Sequence, residues 1–187
     1  MTALIDLGGL GLGLEALQDS ISDEWLWFDP ANKRRIGQGK VHRLHCTVFA
    51  RMSKSLIERA KSIALATPAF EVVLGDVFFS QVNRLKPDVV FSVGVAIHSS
   101  DLLAFKARCL EGLSDEDKLR HDPYAAYSTG GHMSLAYIRE EFKERAEAVA
   151  EASKSQYSGK RALIHSFEVT DSGRTLCTIS FAVPPPS

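Results

Sequence analysis

RLHCTVFA (43–50) and GGHMSLAYI (130–138) hold one short pattern twice: a histidine, any residue, a hydroxyl, then an aliphatic side chain. His45 stands two residues before Thr47, and His132 two before Ser134. Both stretches are apolar runs of strand type. In a strand, residues i and i+2 share a face, so each histidine points with its hydroxyl. Cys46 and Val48 then pack behind the first pair, and Met133 and Leu135 behind the second.

Working outward, the first motif belongs to a strand over 41–52, preceded by a polar, basic loop at 31–40 and an aromatic strand EWLWFDP at 24–30. A helix is expected over 53–68, capped by Ser53 or Ser55, with Leu56, Ile57, Ala60, Ile63 and Ala64 on one face. Strands follow at 70–82 and 88–97, then a helix at 99–113 capped near Ser99. Residues 114–131 read as a long polar loop. The second motif strand (132–138) leads to a charged helix at 139–156. Two final strands, 160–171 and 174–184, are joined by the turn signal Ser172-Gly173.

Helices alternating with antiparallel strand pairs argue an α+β fold. A histidine strand, a helix and a strand pair occur twice, over 41–97 and 132–183. Two pseudo-symmetric lobes are therefore expected, each an antiparallel sheet with outer helices, in a single domain over 1–187. Residues 1–20 read as a lead-in and 184–187 as a tail. GGLGLG (8–13) lacks the strand and helix context of a phosphate-binding glycine loop and reads as a turn.

Net charge is −1, with 45% apolar and 24% charged residues. This is ordinary for a soluble globular chain, and wrapping a long duplex calls for a basic excess that is not there. No apolar run reaches the roughly 18 residues of a membrane span. No signal peptide is expected, so the cytoplasm or nucleus is the expected location. The three cysteines, Cys46, Cys109 and Cys177, are an odd number without a CxxC. They read as small buried side chains rather than a disulfide or thiolate metal framework. Cys46 faces away from His45, which disfavours a Cys-His nucleophile pair.

If the two motif strands lie side by side, both His/hydroxyl pairs face one central groove. Two imidazoles across a groove form an acid/base pair near neutral pH. The hydroxyls donate to phosphoryl oxygens, and an imidazolium adds charge where a phosphorane develops its own. That equipment suits attack on a phosphodiester without a metal or other cofactor. Either histidine alone would read as structural; the matched pair carries the argument. His42 reads as exposed, His98 and His121 as solvated, and His165 as a core candidate. A zinc site from His42, His45 and His132 lacks a completing ligand.

With these motifs in place, the sequence resembles the 2H phosphoesterase superfamily, in HCTV and HMSL. GGHMSLAYIREEFKERAEAV and EWLWFDP further resemble the fungal and plant-type 2′,3′-cyclic nucleotide phosphodiesterases. The likeness spans about 24–183, and only the two motifs are specific. It departs from that group where Leu44 and Gly131 replace a proline that often precedes each motif histidine. The resemblance implies a bilobal fold with the active site in the central groove. It implies hydrolysis of a nucleoside 2′,3′-cyclic phosphate, or a relative such as ADP-ribose 1″,2″-cyclic phosphate, to a monophosphate. His45 would protonate the leaving oxygen, His132 would activate water, and Thr47 and Ser134 would bind phosphate. Trp27 and Tyr137 match aromatics near the substrate. In a regular strand Tyr137 would face away from His132, so it reaches the groove only through a bulge or a strand end. Arg34, Arg35 and Lys40, with Tyr124 and Tyr127, would flank the groove where a nucleotide end could lie. The expected partner is a small nucleotide or short RNA end, and the expected state a monomer. An RNA-end or 2′–5′ phosphodiesterase of the same fold and a non-catalytic nucleotide-binding module are the competing readings.

Overall fold

The structure, a computed structural model, describes residues 1–29, 38–82, 89–123 and 130–182. Its elements are β1 (Thr2–Asp6), α1 (Leu14–Asp19), β2 (His45–Phe49), α2 (Lys54–Leu65), β3 (Phe70–Gln81), β4 (Val90–His98) and α3 (Ser100–Leu110). They continue with α4 (Asp115–His121), β5 (Gly130–Arg139), α5 (Lys143–Ala152), β6 (Arg161–Ile164), β7 (Ser166–Asp171) and β8 (Arg174–Ser180). Among the described residues the strands form two four-stranded sheets, ordered β2-β1-β7-β8 (sheet A) and β5-β4-β3-β6 (sheet B). Every pairing within them is antiparallel. The α+β class and the two-sheet, two-lobe arrangement stand as expected. No helix among the described residues is long and apolar enough to cross a membrane.

The helices begin where side chains satisfy their first free N–H groups. Ser53 Oγ accepts from Leu56 N at the start of α2, and Ser99 Oγ from Leu102 N at the start of α3. α2 buries Leu56, Ile57, Ala60 and Ala64. α3 buries Phe105, whose ring meets Phe49, Phe167 and Phe181 at 6.3, 5.6 and 5.2 Å. Those aromatics come from β2, from β7 and from the chain just beyond β8, so α3 closes the core beneath sheet A. α5 lies against β3 and β4.

Four sequence expectations change. Residues 2–6 are not lead-in: β1 sits between β2 and β7, with Ala3 and Ile5 fully buried. EWLWFDP is no strand. Asp23–Trp25 form a 3-10 turn, and Leu26 makes one isolated bridge to Ile138. The stretch 114–131 holds α4, where Ser114 Oγ accepts from Asp117 N. Asp115, Glu116 and Asp117 fill its first turn and Lys118, Arg120 and His121 its last, which suits the helix dipole at both ends. Finally, 160–171 is two strands in different sheets. β6 pairs with β3 and β7 with β1, and the chain crosses between sheets at His165.

That crossing rearranges the lobes. The strand pair that follows the first motif, β3–β4, belongs to the sheet of the second motif strand. The pair after the second motif, β7–β8, joins the sheet of the first. Each histidine strand consequently becomes an edge strand. At the far end, Ser172 (φ 51°) and Gly173 (φ 83°) make the two-residue turn between β7 and β8. Both residues have the positive φ that such hairpins require.

Candidate active site

β2 and β5 meet edge to edge. The Cys46 sulfur lies 2.7 Å from where a Gly131 Cβ would stand. In β5, position 131 shares its side with Met133, which is fully buried; in β2, Cys46 is buried at 1% exposure. The core-facing sides of the two strands therefore coincide. By alternation, His45 and Thr47 share the opposite side with His132 and Ser134. All four are half-buried. Alternation, edge position and the crossover thus bring the four expected residues to one seam between the sheets.

The two strands also share an irregularity. In β2, Leu4 pairs with Thr47 but Ala3 with Phe49, so Val48 is an extra residue. In β5, Gly94 pairs with Ser134 but Val93 with Ala136, so Leu135 is extra. Each strand bulges three residues after its histidine, and a bulge shifts the alternation of the residues beyond it. Tyr137 pairs with Ser92, on the same face of sheet B as Gly94 and Ser134. The bulge therefore brings Tyr137 round to the side of His132. There it packs with Trp27 and Val90 in a cluster separate from the main core. Trp27 N–H donates to the Tyr137 carbonyl at 2.9 Å. Both rings are largely covered, at 9% and 7% exposure, so the pair forms a wall of the seam more than an open surface. Tyr124, Tyr127, Arg34 and Arg35 lie outside the described residues. Lys40 pairs with Asp23 at 2.9 Å.

His45 is held from one side. Its Nδ1 lies 2.7 Å from the Arg43 carbonyl oxygen. A carbonyl only accepts, so Nδ1 carries the hydrogen and Nε2 is left for chemistry. The Arg43 side chain is clamped in turn. Nε and Nη2 donate to Asp6 Oδ2 at 2.8 and 2.7 Å, and Nη2 and Nη1 to the two Glu168 oxygens at 2.5 and 2.9 Å. Asp6 is the cross-strand neighbour of His45, and Leu4 pairs with both Thr47 and Glu168. The clamp thus spans β1 and β7 on the face that bears the first motif. Sequence reading missed it because its carboxylates are remote from Arg43 along the chain.

Hydrogen bonds from Arg43, then from Thr175 at 2.6 Å, hold the Glu168 carboxyl below its usual range. A carboxylate with a depressed folded pKa contributes stability above its unfolded pKa and loses it as pH falls through the folded value. Acid titration of stability therefore separates wild type from Glu168→Gln. The wild-type denaturation midpoint falls further between about pH 5 and about pH 2 than that of the variant. Parallel curves would contradict the clamp.

Burial pushes the Cys46 thiol up to about 11, against the nearby Lys106 charge and a hydrogen bond from the His132 backbone. A thiol so protonated and covered is no nucleophile at neutral pH, in keeping with the expected structural role. Cys109, a buried residue of α3, is pushed up to about 12 by that burial. Cys177 is half-buried. Of the other histidines, His42 and His98 are exposed as expected, whereas His165 is exposed rather than core. His121 is buried rather than solvated, with Nδ1 3.3 Å from the Ala50 carbonyl. No group of three or more metal-binding side chains is found among the described residues.

Gly131 is required where the strands touch. A Cβ there would meet the Cys46 sulfur inside contact distance. Gly131→Ala should cost about 1–3 kcal/mol through overpacking and displace the adjacent His132. Adding Cys46→Ala removes the obstruction, so the double variant should regain stability and turnover relative to Gly131→Ala alone. Additive losses in denaturation and rate measurements would refute this account.

No family model and no curated protein matches the sequence. Solved structures do resemble the fold. TT0787 of Thermus thermophilus aligns with a TM-score of 0.54 at 12% identity, over 99% of this chain and 100% of that one. Kluyveromyces marxianus Usb1 aligns with a TM-score of 0.48 at 12% identity, over 96% of this chain and 97% of that one. A structure of the same protein with uridine monophosphate gives the same values. The likeness to the Thermus structure is one of fold, and it spans essentially the whole chain. The shared fold is the α+β arrangement of two antiparallel sheets expected from the sequence.

Proposed function

We propose that the protein is a phosphodiesterase that opens a nucleoside 2′,3′-cyclic phosphate to a monophosphate without a metal ion. One observation supports the reading: the close approach of Cys46 to Gly131, from which strand alternation argues that His45, Thr47, His132 and Ser134 share the opposite side of the seam. In this scheme Thr47 and Ser134 donate to the non-bridging phosphoryl oxygens. His132 takes a proton from water as the water oxygen attacks phosphorus. The ester oxygen leaves on the opposite side, and its bond breaks as His45 delivers the Nε2 proton. The Arg43 carbonyl accepts from Nδ1–H and so orients the His45 ring. Negative charge on the pentavalent intermediate is met by two hydroxyls and by the two protonated histidines.

The scheme is tested by assay in EDTA with nucleoside 2′,3′-cyclic phosphates beside 2′–5′ and 3′–5′ dinucleotides. Phosphorus NMR of the product then shows which ring oxygen leaves. Turnover of the cyclic mononucleotide in EDTA supports the scheme. Cleavage of dinucleotides alone would move the function to RNA ends, and absence of all turnover would leave a binding module.

A further inference from the structure

Phe78 stands where a core phenylalanine has no reason to be. Its neighbour Phe79 packs on the main core and stacks on Phe91, with ring centroids 5.1 Å apart and planes 4° from parallel. Phe78 points the other way. It pairs with Gly94, which pairs with Ser134, so it shares the face of His132 and Ser134. It belongs neither to the main core nor to the Trp27–Val90–Tyr137 cluster, and it is half-buried. Its ring crosses β4 over Gly94, where a Cβ would come within 2.5 Å of Cζ. Glycine is what lets the ring lie there. It reaches the His132 imidazole edge to face, with centroids 6.0 Å apart and planes at 73°.

We infer that Phe78 is the platform on which the substrate's base stacks, so that the substrate carries a base on the same ribose as the reacting phosphate. This rests on the proposed reaction and narrows its substrate class. Base and phosphorus of a nucleoside 2′,3′-cyclic phosphate are separated by one sugar ring. A phosphorus held at His132 therefore leaves the base within reach of the adjacent aromatic ring. Trp27 and Tyr137 already cover one another, whereas Phe78 keeps part of its ring exposed. An aromatic platform accepts any base, since each has a π face. ADP-ribose 1″,2″-cyclic phosphate has no base on the reacting ribose and gains nothing from this ring.

Phe78→Leu and Phe78→Tyr test the assignment, with melting temperatures as a check on folding. For a nucleoside 2′,3′-cyclic phosphate, Phe78→Leu should raise KM about 10- to 100-fold, the range expected for losing one base–aromatic stack, with kcat near the wild-type value. Phe78→Tyr should retain the wild-type KM. With ADP-ribose 1″,2″-cyclic phosphate, the loss of kcat/KM should be smaller by an order of magnitude. Equal losses on both substrates, or an unchanged KM in Phe78→Leu, would overturn the platform. If wild type hydrolyses neither compound, the proposed reaction itself fails. The platform is then judged by calorimetric binding of adenosine 2′-monophosphate: tenfold weakening in Phe78→Leu upholds it, and equal affinity ends it.

Discussion

Under the proposed reaction, His132→Ala and His45→Ala should each lower turnover of a nucleoside 2′,3′-cyclic phosphate by about 10²- to 10⁴-fold, the contribution of a positioned proton-transfer group. Both histidines lie half-buried at the seam between the sheets. Neither substitution empties the main core, so melting temperatures should stay close to wild type. The double variant should lose much less than the product of the two single losses, because the groups act as a unit. The two positions also differ. His45 is oriented by the Arg43 carbonyl, whereas His132 has the Phe78 ring at its side. His45→Gln can still donate a hydrogen bond but cannot shuttle a proton, so it should be as slow as His45→Ala. Steady-state rates decide the matter: a single variant near wild-type turnover would remove that residue from the chemistry.

Much of this arrangement was legible in the sequence. The repeated histidine-x-hydroxyl pattern with aliphatic flanks gave the two strands, their facing and the four seam residues. Serine caps gave α2 and α3, and Ser172-Gly173 gave the final turn. What escaped notice was of two kinds. Some signals were present but overlooked. Ser114-Asp-Glu-Asp is a capped, acid-first helix start. In ALIHSFEV the buried positions switch from Ala162 and Ile164 to Phe167 and Val169, a break in alternation that marks the change of sheet. Other features are not written locally at all. The bulge at Leu135 depends on the register with β4, and it alone decides which way Tyr137 faces. The Arg43 clamp joins residues from three distant segments. The glycine at 94 acquires its meaning only once Phe78 lies across it.

The largest stability effect is expected at a buried ion pair between α3 and α4. Lys106 of α3 and Asp122 at the end of α4 form an ion pair at 2.6 Å, with side chains only 4% and 8% exposed. Its ends are fixed within the fold. Lys106 lies among the buried residues of α3, and Asp122 N–H donates to the Lys118 carbonyl at 2.8 Å. His121, one residue earlier, accepts from Ala50 N–H through its carbonyl at 2.7 Å, which ties α4 to the end of β2. Lys106→Met keeps the apolar stem but leaves the Asp122 carboxylate buried without its cation. Breaking such a pair from one side costs about 3–5 kcal/mol, because the remaining charge is uncompensated. Lys106→Met/Asp122→Leu removes both charges together and should recover most of that loss, since well-packed apolar replacements of a buried pair are often neutral or better. Urea denaturation of wild type, the single variant and the double variant measures this directly. The destabilised single variant should still show seam chemistry at temperatures where it is folded, because both charges act on the core-facing Cys46 rather than on the opposite side of β2 that bears His45 and Thr47. A single variant within about 1 kcal/mol of wild type would mean that water reaches the Asp122 carboxylate, and that α4 is held by the backbone bond between Ala50 and His121 rather than by this pair.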